Sequence, residues 1–198
     1  MRQKILAILF ILCVFALIVA NRFDFTEQVT AKVSRDTGTS YSIGHVFRRG
    51  ETIHTSKGEF VELFIGGMVV IDLDENTNLE LKSLARNAVR VGFGHGRILV
   101  NLTNNDGGNL EVDTPTAQHQ LVGRASFIGY DFKHETSVIP LFLLNTGSIH
   151  TTIPLLNQTF ELTSPMTIHD VNPPTVEEIT FDEKTDARAE FYLWAAGK

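Results

Sequence analysis

Asp72, Asp74, Asn76 and Asn78 stand at alternating positions, the spacing of oxygen ligands in a calcium-binding loop. Such a loop needs glycine at its sixth position and a bidentate acid at its twelfth. Thr77 and Ser83 occupy those places, so the segment reads as a solvated turn. Gly92-Phe93-Gly94-His95-Gly96 is glycine-rich enough to approach a phosphate, yet a strand-like run follows it. No helix N-terminus would then meet the anion, and the stretch reads as a hairpin turn. The seven histidines, at 45, 54, 95, 119, 134, 150 and 169, show no His-x-x-x-His or His-Glu spacing. Ser164-Pro165-Met166 inverts the order of the Ser-Met-x-Pro of membrane-anchored signal peptidases. Gly-x-Ser-x-Gly is absent, and no lysine lies in an apolar strand where it could act as a base. The sequence therefore assigns no catalytic, cofactor-binding or metal-ligating residue.

The elements that would position any site are strands. Val61, Leu63 and Ile65 alternate with Glu62 and Phe64, and Val69, Ile71 and Leu73 follow beyond Gly66-Gly67, a hairpin signal. Leu79 and Leu81, then Val89, Val91 and Phe93, then Ile98, Val100 and Leu102 repeat the period of two. Val61, Leu63, Ile71, Leu79, Val91 and Val100 are thus expected in the core. Turn residues punctuate the runs at Gly58, Asp74–Asn78, Asn104–Gly108 and Asn145–Gly147. Many short strands at close spacing predict an all-β fold, an antiparallel sandwich or coiled β-roll. Asn172-Pro173-Pro174 ends the last expected strand and opens a linker. Beyond it Thr180-Phe181-Asp182-Glu183 has the form of a capping box, and Ala187, Phe191 and Trp194 recur at helical spacing. A short C-terminal helix docked through its aromatic face is expected.

The N-terminus is different in kind. Arg2 and Lys4 precede an uncharged apolar run from Ile5 to Ala20, closed by Asn21, Arg22 and Asp24. As a helix the run is ~24 Å long, just short of a hydrocarbon core, and Lys4 and Arg22 can snorkel to make up the difference. Ile18 spoils the small-x-small pattern before Ala20, and Leu12 before Cys13 spoils a lipoprotein signal, so an uncleaved transmembrane anchor is preferred to a cleaved leader. The charge order keeps the N-terminus cytoplasmic and residues 21–198 extracytoplasmic. The expected organisation is an anchor at 1–22, a β domain at 23–171, and a linker with its helix at 172–198. Cys13, the one cysteine, excludes an intrachain disulfide. Net charge is −6, and with Arg2 and Lys4 in the first twenty residues, residues 21–198 carry −8. An acidic body without a basic stripe makes nucleic acid an unlikely partner on electrostatic grounds.

The β segment resembles the FecR family. Gly50-Glu51-Thr52-Ile53-His54-Thr55 looks like that family's opening Gly-acid-x-Ile-x-Thr, and Gly58–Leu63 and Asn76–Leu81 resemble its next strands. Gly96-Arg97-Ile98-Leu99-Val100 resembles its Gly-x-Leu-x-Val strand, and Gly147-Ser148-Ile149 its late turn. Asp113-Thr114-Pro115-Thr116-Ala117 is the most specific piece, resembling a Thr-Pro-x-Ala step before Val-x-Gly-Thr-x-Phe. Here the second half reads Leu121-Val122-Gly123-Arg124-Ala125-Ser126-Phe127, with Arg124 in place of Thr. The resemblance covers roughly residues 30–170 and implies an extracytoplasmic domain for sensing and for binding protein or glycan, without catalytic residues or cofactor. The resulting expectation is a non-enzymatic, membrane-anchored envelope module held by residues 5–20. An envelope hydrolase on a β scaffold is the alternative. Only four residues precede the anchor, so an anti-sigma role for the chain itself is not expected.

Overall fold

The computed structural model describes residues 28–38, 40–102, 109–115, 117–122, 125–132, 135–138, 141–145, 148–162, 166–169, 175–178, 182, 184–185 and 189–196. The expected anchor lies outside them, as do the turn at Asn104–Gly108 and most of the capping box. Among the described residues no helix is long and apolar enough to cross a membrane.

The chain is mostly β. Its strands are β1 (Ala31–Asp36), β2 (Val46–Phe47), β3 (Thr52–His54), β4 (Val61–Ile65), β5 (Val69–Leu73), β6 (Asn78–Ala85), β7 (Ala88–Leu102), β8 (Asn109–Asp113) and β9 (Gln118–Val122). They continue with β10 (Ala125–Phe132), β11 (Glu135–Val138), β12 (Leu141–Asn145), β13 (Ser148–Ile153), β14 (Gln158–Leu162), β15 (Met166–His169) and β16 (Thr175–Glu178). An α-helix, α1 (Ala189–Ala196), follows. The described strands join into one large sheet, and it is mixed. The wholly antiparallel expectation is corrected at one place: β7 and β8 pair in parallel, from Ala88↔Asn109 to Gly92↔Asp113.

The long strand β7 explains that pairing. Its first part pairs with β6 and β8, and its second part pairs with β5 and β10. The sheet thus has two halves threaded by one strand. A straight strand from Ala88 to Leu102 would measure ~46 Å. The chain from Leu102 to Asn109 reaches no more than ~25 Å, yet Asn109 pairs beside Ala88. Strand β7 must therefore bend, and the returning chain must run alongside it in the same direction.

The bend falls where a hairpin was expected. Residues 92–96 lie inside β7 and form no turn. Glycine marks a strand bend as readily as a chain reversal, which is why the local pattern resembles a turn. Gly96 has φ +101°, and a Cβ there would lie 2.3 Å from Thr77 Oγ1. That close approach lets the Arg97 amide donate to Thr77 Oγ1 at 3.0 Å, and the Thr77 amide in turn donates to Thr55 Oγ1 at 2.9 Å. Two buried threonines brace the hinge.

Folding the halves together gives one core. Ile53, Leu79, Val91, Phe93 and Val112 from one half join Val33, Leu63, Ile71, Ile98 and Val100 from the other. The six residues expected in the core by alternation are all fully buried. The hairpin at Gly66-Gly67 forms between β4 and β5, both glycines having positive φ. One C-terminal detail differs from expectation. Strand β16 lies within the expected linker and pairs antiparallel with β15 from Met166↔Glu178 to His169↔Thr175. Asp182 accepts a hydrogen bond from the Lys184 amide at 3.0 Å and closes a local turn.

Candidate functional site

The outer faces of the two halves differ. On the half built from β3, β6, β7 and β8, the residues pointing outward form cross-strand rows. Thr52 pairs with Glu80, Glu80 with Gly92, and Gly92 with Asp113. Because β7 supplies Gly92 and Gly94, its outer face is bare backbone. The result is an open groove of about 290 Å³. Thr52, Asn78 and Glu80 line one side, and Asp113, Thr114 and Pro115 line the other.

One end of the groove is closed by an ion-pair cluster. Lys82 Nζ reaches Asp113 Oδ2 at 2.9 Å, and Arg90 binds the same carboxylate through Nε at 2.8 Å and Nη2 at 3.1 Å. Glu111 adds a longer contact to Arg90 Nε at 3.5 Å. Burial on its own would raise the Asp113 pKa, but the hydrogen bonds and charges of Arg90 and Lys82 outweigh it and hold it below the usual carboxylate range. The same hydrogen bond to Asp113 raises Arg90. A bidentate arginine and a lysine on one carboxylate fasten the end of β8 to β6 and β7. The turn beyond it is closed by Thr114, whose Oγ1 donates to the Ala117 carbonyl and accepts from the Ala117 amide, each at 3.0 Å. This is the Thr-Pro-x-Ala step, so its threonine and aspartate have structural duties.

Behind the cluster lies His119. Its Nδ1 is 2.8 Å from Thr151 Oγ1, and burial lowers its pKa to about 3 against a small opposing pull from Asp113. The imidazole is neutral and fixed. Of the other histidines, His45 packs edge-on to Phe47 at 4.6 Å, while His134 lies outside the described residues. Among the described residues no three His, Cys, Asp or Glu side chains gather as a metal site. Asp72 and Asp74 of the calcium-like spacing are buried, whereas Asn76 and Asn78 are exposed, so the four do not converge.

The other half carries the helix. Phe191, Tyr192 and Ala195 are buried against its outer face, with Phe60 5.8 Å from Phe191 and 5.4 Å from Trp194 between ring centres. Arg35 stacks over Trp194 at 4.3 Å and donates to the Trp194 carbonyl at 2.7 Å. Arg97 Nη1 donates to the Tyr192 hydroxyl at 2.9 Å. Glu62, on the strand face opposite Val61 and Leu63, is buried beneath this layer, where it meets Arg35 at 3.5 Å and accepts from Ser34 Oγ at 2.7 Å. The docked aromatic face is as expected.

The groove and its ion pairs were not foreseen. Lys82, Arg90 and Asp113 each look like ordinary outward-facing strand residues. The parallel pairing that unites Arg90 with Asp113 has no local signature in the sequence.

Comparison with known proteins adds the following. Residues 51–142 match the family model described as FecR protein. No curated protein matches the chain. Two crystal structures of a candidate anti-sigma factor from Parabacteroides distasonis ATCC 8503 superpose with TM-scores of 0.58 and 0.54, each at 17% identity. The alignments cover 74% and 68% of this chain and 65% and 61% of those chains, so this chain spans less than two thirds of their length. At that identity the likeness is one of fold.

Proposed function

We propose, on the match of residues 51–142 to the FecR family model, that the chain is a non-enzymatic binding and signalling module of the cell envelope. The observation that carries this reading is one of placement. Every residue lining the groove, from Thr52 to Pro115, falls inside the FecR span, so the family's own β framework builds the recess. The two cations at its closed end are engaged by Asp113, and its threonine turn is self-bonded, an arrangement that favours a rigid binding surface over a reactive centre.

Residues 5–20 serve as the tether to the cytoplasmic membrane, with residues 21–198 on the extracytoplasmic side and an envelope protein or glycan as partner. A tether raises the local concentration of such a partner without adding contacts. Mild crosslinking in the native membrane followed by co-purification tests the reading, and a reproducible envelope partner is the expected result. Recovery of the chain alone at every crosslinker dose would contradict it. Mass spectrometry of the mature N-terminus tests the tether separately: an intact Met1 or Arg2 start is expected, and a protein starting at Asn21 would remove the anchor.

A further inference from the structure

Strand β7 has three glycines within five residues, and the surroundings account for two of them. Gly96 needs its positive φ and would clash with Thr77 if it carried a side chain. At Gly92 a Cβ would lie 2.6 Å from Lys82 Cε, because the lysine stem crosses β7 to reach Asp113. Gly94 has neither reason. Its φ is outside the left-handed region, it is exposed, and a Cβ there would meet no atom within 4 Å. Glycine inside a strand lowers stability relative to alanine, and where neither positive φ nor a crowded neighbour requires it, it leaves the backbone open to a close approach from outside.

Gly94 lies on the groove floor at its open end. Walls on the two flanking strands stand two strand spacings apart, ~9–10 Å. We infer that this trough over Gly94 binds a neutral, hydroxyl-rich saccharide unit, seated on bare β7 backbone between Glu80 and the Thr114-Pro115 edge. The inference rests on the binding-module reading and names the ligand class for it.

The lining chemistry selects the class. Lys82 and Arg90 are both engaged by Asp113, so the trough does not offer a dedicated cation to a phosphate or carboxylate. What it presents to open space are the Glu80 carboxylate, the Asn78 amide and the Thr52 hydroxyl, all exposed. A carboxylate accepts from neighbouring hydroxyls, whereas an amide and a hydroxyl each both accept and donate. The Pro115 ring supplies an apolar edge for the C–H face of a sugar. A volume of about 290 Å³ sits at the small end of ligand sites, ~300–1,000 Å³, which suits one or two sugar rings and excludes a folded domain.

The experiment uses the full chain in a sugar-free detergent, with saturation-transfer NMR and titration of three probes: cellotriose, chitotriose and trilysine. One of the two trisaccharides is expected to bind. Its affinity should fall by about tenfold or more in Gly94→Thr, which fills the floor, and in Glu80→Gln, which removes the acceptor charge. Glu80→Gln should keep a wild-type thermal midpoint and Gly94→Thr should keep or raise it by a few degrees, since neither residue packs in the core and Gly94 has open space for a side chain. Binding of neither trisaccharide, undiminished binding in Gly94→Thr, or binding of trilysine alone would each overturn the inference. If envelope crosslinks persist in wild type while no saccharide binds, this inference fails and the module reading stands.

Discussion

The two outer faces of the sheet are built on the same strand and reach opposite outcomes. Toward its start, β7 points Arg90, Gly92 and Gly94 outward; toward its end it points Arg97, Leu99 and Asn101 outward. Where the strand has side chains, α1 has something to pack on, and Arg97, Arg35 and Phe60 grip Tyr192, Trp194 and Phe191. Where the strand is bare, no ridge exists for a helix to interdigitate with, and an open trough results. A covered face can hold buried charge, as at Glu62 and the fully buried Asp72. An open one keeps its charge in a solvent-facing cluster. The difference shows how outward positions, which alternation treats as equivalent, are sorted by what lies above them.

The largest effects should appear where the comparison can be broken from below or from above. Phe93 lies in the core under the groove and is 1% exposed. Phe93→Ala should lower the unfolding free energy by about 3–5 kcal/mol, read from urea denaturation. Phe191→Ala should lower it by a similar order, since that ring is fully buried, but the loss should start locally. Amide exchange is expected to quicken across residues 189–196 while the β7 amides stay protected. Equal acceleration in β7 would show that the helix and sheet are one cooperative unit.

The next effect in size separates the faces by pH. The folded pKa of His119, about 3, lies below its ordinary 6.5. The unfolded chain therefore takes up the proton first, and stability falls as pH drops below 6.5. Each unit of pH removes up to ~1.4 kcal/mol, so between pH 6.5 and 4.5 the loss should be roughly 2–3 kcal/mol. Asp113 is also depressed, and its contribution goes in the same direction, but it is lost only as pH falls below the ordinary carboxylate range. Denaturant titrations at pH 6.5, 5.5 and 4.5 isolate the histidine, and His119→Gln should flatten the curve. A slope unchanged in that variant would place the proton elsewhere.

Legibility in the sequence follows the same division. Core positions such as Leu63, Val91 and Val100 could be read because a period of two is a local property that one strand displays alone. Phe191 could be read for the same reason at helical period. The burial of Glu62 could not, because it depends on a helix far along the chain closing over it. Arg90 and Asp113 meet only because β7 bends and the chain returns parallel to it, a path fixed by chain reach and not by any motif. Residues 92–96 were misread as a turn because five residues viewed locally do not tell a bend from a reversal. The FecR resemblance was legible because its motifs keep their order, and the Thr114–Ala117 turn is closed by its own hydrogen bonds.

The smallest expected effect is also the one that bears most directly on the open face. Gly94→Ala adds a methyl group where no atom lies within 4 Å and where φ needs no glycine. The unfolded chain loses conformational freedom, and the folded strand gains an ordinary residue. Stability should therefore rise by about 0.4–1 kcal/mol, a thermal midpoint shift of ~1–4 °C for a chain of this size. The same change at Gly96 should be destabilising by more than that, since it forces a side chain into Thr77 and into a positive φ. Paired melting curves of the two variants read the sign of each. A loss at Gly94 equal to that at Gly96 would mean that the fold itself requires the bare backbone, and the trough would then be a by-product of the bend. A gain at Gly94 beside a loss at Gly96 leaves glycine there without a structural cause, which is what a face kept open for a ligand demands.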